Sequence, residues 1–173
     1  NAVALGGKTH ANQWGTAVGA RASAAGDQSI AVAAHATAKA TRALSVGSYS
    51  YSGAEGGIAL GYNSMVADGA SGSTAIGAGS VVSGKNSGVW NASPASGQPQ
   101  MMPDANRSFV GGDNNYAIGN KNIIGDKSSD SFVLGNNVKL GASGATLAIT
   151  NVAGQDAITN ASTRTNTVTY AGA

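Results

Sequence analysis

An apolar, small, apolar triplet closed by glycine, or once by alanine, returns along the chain at a nearly constant interval. It reads Val3-Ala4-Leu5-Gly6, Thr16-Ala17-Val18-Gly19, Ile30-Ala31-Val32-Ala33, Leu44-Ser45-Val46-Gly47, Ile58-Ala59-Leu60-Gly61 and Thr74-Ala75-Ile76-Gly77, with closing residues 13, 14, 14, 14 and 16 positions apart. A fixed period predicts a solenoid in which each repeat is one coil stacked on the next. The phrase continues in Gly88-Val89-Trp90-Asn91, Ser108-Phe109-Val110-Gly111, Asn122-Ile123-Ile124-Gly125, Phe132-Val133-Leu134-Gly135 and Leu147-Ala148-Ile149-Thr150, and Thr167-Val168-Thr169-Tyr170 reads as a last turn. That makes about eleven coils and, at a rise of about 4.8 Å per coil, a rod on the order of 50 Å long. The step of 20 positions from Asn91 to Gly111 marks an insertion.

Strand alternation puts the first and third residues of each triplet on one face and the middle residue on the other. The third positions Leu5, Val18, Val32, Val46, Leu60, Ile76, Val110, Ile124, Leu134 and Ile149 are all aliphatic. They predict a stacked hydrophobic core. The middle positions Ala4, Ala17, Ala31, Ser45, Ala59 and Ala75 are small where a solvated strand would carry charge, and later become Val89, Phe109, Ile123 and Val133. This second face is expected to be a subunit interface. A second strand follows each triplet. Its inward positions include Ala22 and Ala24, Ala36 and Ala38, Ser50 and Ser52, Ser64 and Val66, Ser80 and Val82. Its outward positions include Lys8 and His10, Arg21 and Ser23, His35 and Thr37, Tyr49 and Tyr51, Asn63 and Met65, Gly79 and Val81.

Composition sharpens this picture. Twenty-six glycines, 10% charged and 5% aromatic residues argue against a helical bundle, while 42% apolar residues in strict alternation argue against disorder. A net charge of +2 with scattered signs lacks the basic footprint of a nucleic-acid binder. The sequence shows no run of about 18 apolar residues and no basic-then-apolar leader. Without cysteine there are no disulfides and no thiolate metal sites. Residues 1–173 read as one domain, with regular coils over 1–90, an insertion loop at 92–106 and less regular coils over 107–173.

Triplets such as Gly57-Ile58-Ala59-Leu60-Gly61 and Thr74-Ala75-Ile76-Gly77, spaced near 14 and interleaved with segments such as Val81-Val82-Ser83-Gly84-Lys85-Asn86-Ser87, resemble the head repeats of trimeric autotransporter adhesins, the YadA-like head of Gram-negative bacteria. The resemblance covers most of the chain and is clearest over residues 1–90 and 107–140. It implies an all-β fold, a parallel β-solenoid of the left-handed β-roll type, assembled as a homotrimer on the bacterial outer-membrane surface. It also implies a stalk and a membrane anchor that this chain lacks, and a partner that is a host extracellular matrix protein or cell-surface receptor. A trimer suits the energetics too. A thin roll with alanine and serine inside buries little apolar area, and at about 25 cal/mol per Å² it is marginal alone.

Chemistry is sparse. His10 and His35 have no carboxylate at a metal-ligand spacing, no serine sits in a nucleophile elbow, and the Asp113-Asn114-Asn115 stretch reads as a turn rather than a calcium site. No catalytic group, metal or cofactor is expected. The candidate partner site is Tyr49, Tyr51, Met65 and Val81, outward on three successive coils; the alternative is that a neighbouring loop covers them. Met101 and Met102, in the insertion that holds all three prolines, form a second candidate. Trp90 is expected to anchor that insertion, and Trp14 lies at a turn, where either a structural or a contact role fits. The candidate trimer interface is Ala4, Ala17, Ala31, Ser45, Ala59, Ala75, Phe109, Ile123 and Val133. An ice-binding or purely structural solenoid and a left-handed β-helix acyltransferase are the competing readings. The acyltransferase fold wants a hexapeptide period, which 14 does not satisfy, and ice binding wants uniform Thr-x-Thr ranks that the mixed outward columns lack.

Overall fold

The computed structural model describes residues 1–91 and 108–141 in full, and the strand path alone of residues 146–152 and 163–169. The chain alternates between two sheets. The first takes the strands Val3–Leu5, Thr16–Val18, Ile30–Val32, Leu44–Val46, Ile58–Leu60, Thr74–Ile76, Gly88–Trp90, Tyr116–Ile118 and Phe132–Leu134, stacked in that order. The second takes His10–Ala11, Ser23–Ala24, Thr37–Ala38, Tyr51–Ser52, Met65–Val66, Val81–Val82, Phe109–Val110, Ile123–Ile124 and Val138–Leu140. All these neighbours are parallel and one coil apart, so that Ala17 pairs with Ala31, Ala31 with Ser45 and Ser45 with Ala59. The ladder runs from coil to coil: the Ile30 N–H donates to Ala43 O at 2.9 Å and the Leu44 N–H to Gly57 O at 2.8 Å. The result is an all-β parallel solenoid, with nine strands of the first sheet marking nine coils among the described residues.

Nine coils, rather than about eleven, has two causes. Thr146–Val152 pairs antiparallel with Val138–Leu140, and Thr163–Thr169 pairs antiparallel with Thr146–Val152, so these segments form a hairpin on the second sheet and not two further coils. In addition, Phe109–Val110 and Ile123–Ile124 are strands of the second sheet. The first-sheet triplet of that region is Tyr116-Ala117-Ile118-Gly119, paired with Gly88–Trp90 below and Phe132–Leu134 above. From Gly88 to Tyr116 is 28 positions for a single coil step, so about one coil's worth of sequence is interposed there without breaking the register. Residues 92–107, with Met101, Met102 and the prolines, lie outside the described residues.

Burial reverses the expected facing of the first sheet. Ala17, Ala31, Ser45, Ala59, Ala75, Val89, Ala117 and Val133 are buried within the single chain, and line the interior of the roll. The candidate interface residues Ala17, Ala31, Ser45, Ala59, Ala75 and Val133 are therefore core residues; Ala4 occupies the same column in the first coil, where it is exposed. Phe109 and Ile123 belong to the second sheet, Phe109 buried and Ile123 half-buried. Of the expected core residues, those on the first sheet point outward instead: Leu5 is 65% and Leu134 63% exposed, and Val18, Val32, Val46, Leu60 and Ile76 are half-buried, whereas Val110 and Ile124 are buried as expected, on the second sheet. Two strands back to back in a short coil leave a thin interior, and in the first six coils alanine or serine on the first-sheet wall fits it, while Val89 and Val133 enlarge that wall further along. Facing in the second sheet is as the sequence predicts for the inward column, with Ala24, Ala38, Ser52, Val66, Val82, Val110, Ile124 and Leu140 buried.

The interior changes character along the rod. Alanines from Ala17 to Ala43 form one apolar cluster, and Ala54 to Leu140, with Val66, Val82, Val89 and Ile124, form a second. Between them the coil from Leu44 to Ser52 is lined by serines. Ser45 Oγ lies 2.7 Å from Ser50 Oγ, Ser50 Oγ donates to Gly47 O at 2.7 Å, and Ser52 Oγ donates to Gly57 O at 2.8 Å. Each buried hydroxyl has a partner, which removes the desolvation penalty of placing it there. In the later coils asparagine replaces serine in this role. Asn122 Nδ2 donates to Ile118 O at 3.1 Å and to Gly135 O at 2.7 Å, while its Oδ1 accepts from the Val138 N–H at 3.1 Å.

Corners demand positive φ. At Gly47, with φ 127°, an added Cβ would stand 2.6 Å from the Gly61 carbonyl carbon, so glycine is required there by both conformation and space. Ala33 holds the equivalent place at φ 101°, a strained conformation for a residue with a Cβ. Two residues further on, Lys8, Arg21, His35, Tyr49 and Asn63 sit at φ of 55–60°. Identical corner geometry in successive coils stacks these side chains in one column.

Because Ala59 is interior, Ala59→Arg places an unpaired charge in the roll and is expected to cost about 4 kcal/mol or more. For a chain of this size that lowers Tm by on the order of 10 °C. Ala59→Ser should stay within a few degrees of the parent. Thermal melting followed by circular dichroism checks this, and an Ala59→Arg variant that melts with the parent would contradict the interior placement.

Candidate functional site

The corner column and the outer side of the second sheet meet in a groove of about 560 Å³, lined by Arg21, His35, Thr37, Tyr49, Tyr51 and Met65 among others. Register explains the assembly. Thr37, Tyr51 and Met65 are partners in successive second-strand pairings, so their side chains rise in one column. His35 and Tyr49 rise beside them at the corner. Their rings stack with centroids 4.8 Å apart and 11° between planes, a separation that matches the spacing of neighbouring strands. Tyr62 meets Tyr49 edge-on at 6.2 Å and 89°. The Tyr49 ring is thus held on two sides.

Tyr51 is held through its hydroxyl. The coil step from Ile58 to Thr74 is 16 positions, two longer than the common step, and the extra length lies at the corner that carries Asp68. Asp68 accepts hydrogen bonds from the Tyr51 hydroxyl and from the Lys39 ammonium, tying three coils together. Gly53 makes room: a Cβ there would collide with the Asp68 carboxylate and the Tyr51 ring. The hydrogen bond from Lys39, then that from Tyr51, holds the Asp68 carboxyl below its usual 3.8. Burial, then the hydrogen bond to Asp68, raises the Tyr51 phenol above its usual 10.0. The hydrogen bond to Asp68, then the Tyr51 charge, raises Lys39 above 10.5.

Of the candidate partner residues, Tyr49, Tyr51 and Met65 come together in this groove. Val81 follows Met65 in the same column but is fully buried, so it offers no contact surface. Trp90 stands exposed on the outer side of the first sheet, not in the core. Trp14 occupies the opposite corner at φ 58°, 55% exposed. Arg21, His35, Thr37, Lys39 and Asp68 were absent from the sequence-derived site. The spacing of Arg21, His35 and Tyr49 at 14 positions puts them in one corner column, a signal the sequence carries. Lys39 and Asp68 are 29 positions apart across a lengthened coil, and no period reveals that pairing. Among the described residues no group of histidine, cysteine, aspartate and glutamate could hold a metal ion.

The sign of the Asp68 shift sets a pH dependence. A depressed folded-state pKa means the contact stabilises the fold above about pH 3.8 and is lost as pH falls through the lower folded value. Since both partners are exposed, the effect on stability is small. NMR titration of the Asp68 carboxyl should give a midpoint below 3.8 in the parent, moving up toward 3.8 in Lys39→Met and further in Lys39→Met with Tyr51→Phe. A midpoint that ignores both substitutions would contradict the clamp.

Two comparisons bear on what such a rod is. The YadA head domain repeat matches the chain in two copies, over residues 15–32, 35–64 and 70–87. No curated protein gives a significant match. The matched residues lie in the second to sixth coils and include the groove residues Arg21, His35, Thr37, Tyr49 and Tyr51, with Met65 just outside them. The family is a structural, adhesin-like one, displayed as a cell-surface passenger. With those repeats building a parallel β-solenoid, the chain carries YadA head domain repeats and fits the head of a YadA-like trimeric autotransporter.

Proposed function

We propose that the chain is the head of a bacterial surface adhesin that works as a homotrimer and binds host proteins, either extracellular matrix components or cell-surface receptors, displayed at the outer membrane. The observation that carries this reading is the outer side of the first sheet. On eight of the nine coils both the first and third residues of the triplet project there, giving Val3 and Leu5, Ile30 and Val32, Leu44 and Val46, Ile58 and Leu60, Tyr116 and Ile118, Phe132 and Leu134, with threonine replacing the first aliphatic at Thr16 and Thr74. Only Gly88 leaves a gap, beside the exposed Trp90. A strip of this kind is on the order of 40 Å long. Contiguous apolar surface of that extent is what subunit interfaces bury.

Three parallel rods meeting by these strips around a common axis close a ring with no strip left uncovered. The second sheet and its groove then face away from the axis. Three identical grooves per head, and many heads per cell, multiply weak single-site binding into firm attachment. The interface belongs to the aliphatic column, and the alanine column keeps each roll folded.

Light scattering coupled to size exclusion tests the assembly. The parent should give three times the 16.8 kDa chain mass. Leu60→Glu, on the outer strip, should shift the mass toward that of one chain while the far-ultraviolet spectrum stays that of a β protein. A parent that runs as a monomer, or a Leu60→Glu variant that keeps the parent's mass, would contradict this use of the strip.

A further inference from the structure

The groove on the second sheet has a chemistry of its own. Among the described residues the two ion pairs are Lys39 with Asp68 and Arg42 with Glu55, and the Arg21 guanidinium belongs to neither. It stands at one end of a set of immobilised rings: His35 and Tyr49 stacked, Tyr62 against Tyr49, and Tyr51 tied to Asp68. Hydroxyls border the rings at Thr37 and Tyr51. The floor offers no backbone. Thr37–Ala38 is paired on both sides, to Ser23–Ala24 and to Tyr51–Ser52, so an extended peptide finds no free strand edge to join.

A ligand of this groove must be read by side chains alone. Its partners are a forked cation, flat apolar rings and hydroxyls. A carboxylate meets a guanidinium through two parallel hydrogen bonds. A saccharide ring presents an apolar C–H face to an aromatic ring and hydroxyls at its rim, and a shallow, half-polar groove suits that mixture. We infer that the groove bounded by Arg21, His35, Thr37, Tyr49, Tyr51 and Met65 is a binding site for a carboxylated sugar, its acid group on Arg21 and its ring against the tyrosines. This deepens the adhesin reading and rests on it for the source of the ligand, a host surface glycan. Such acids occur as terminal residues of branched glycans and as uronates within linear polymers.

The experiment titrates the assembled chain, observed through the amide resonances of Thr37, Tyr49 and Tyr51, with 3′-sialyllactose, with a hyaluronan tetrasaccharide and with neutral lactose. At least one acidic sugar should bind saturably, with Kd of about 0.1–1 mM, and at least tenfold more tightly than lactose. Arg21→Gln, an exposed position, should weaken that binding at least tenfold with the mass and melting of the assembly unchanged. Which acidic sugar responds decides between a terminal acid and a uronate. Equal binding of lactose, no saturable shift with either acid, or an unaltered Kd in Arg21→Gln would each overturn the assignment. Beads coated with the chain separate this from the adhesin reading. Beads that still adhere to host cells stripped of acidic sugars, together with a negative titration, sink the sugar site and leave the adhesin standing. Beads that never adhere, together with a positive titration, sink the adhesin and leave the sugar site.

Discussion

Backbone N–H groups of each coil bond to carbonyls of an adjoining coil, and this ladder forces like positions into columns about 4.8 Å apart. Nearly everything else follows from it. An alanine at one middle position becomes an alanine column, an aliphatic at one outer position becomes an apolar strip, and a ring at one corner meets the ring of the next corner at stacking distance, as His35 meets Tyr49 at 4.8 Å. No column has to be held by its own side chains alone. Stability is shared between neighbouring coils, as in other solenoids.

The same ladder limits what the interior can hold. In the first coils both walls carry alanine or serine, and the coil from Leu44 to Ser52 is a layer of hydrogen-bonded hydroxyls between two apolar clusters. Further along, Ala59 and Ala75 in one wall share their coils with Val66 and Val82 in the other. Through the first six coils the first-sheet wall therefore stays small, and the larger aliphatic side chains of that sheet stand on its outside. That placement creates the apolar strip of the first sheet. A chain built this way has a folded interior and an uncovered face at once, and in the proposed trimer it is burial of that face that drives association. In that proposed arrangement the second sheet, with its groove, is left facing outward.

The coil, its period and its two strands were legible in the sequence because the triplets from Val3 to Ile76 repeat with so little drift. Inward positions of the second strand were legible too, since Ala22, Ala24, Ala36 and Ala38 are plainly small and regular. The facing of the first sheet was not. Alternation divides Ile58, Ala59 and Leu60 into two sides but does not say which is inner, and hydrophobicity points to the wrong one when the interior is thin. Nor does parity carry across the corner, where Gly61 and Asn63 take positive φ and interrupt the alternation. Beyond Asn91 the period failed as a guide because a coil's worth of residues separates Gly88–Trp90 from Tyr116–Ile118. Tyr49, Tyr51 and Met65 could be placed together from spacing alone. The reach of Asp68 back to Lys39 and Tyr51 depends on a two-residue lengthening whose path no pattern specifies.

The fold depends on the small column being interior, and the proposed assembly on the aliphatic column being its covered outer face. Because the chain has no cysteine, single cysteines can be placed at Ala59, Leu60 and Thr37 and their rates of thiol labelling compared in the assembled protein and in denaturant. Position 37 should label rapidly in both conditions, and positions 59 and 60 should show protection that is lost on denaturation. In chains carrying Val46→Glu, which projects on the same strip beside Leu60, position 60 should open while position 59 stays closed. A cysteine at position 59 that labels as fast as one at position 37 in the native assembly would contradict the interior placement of the small column.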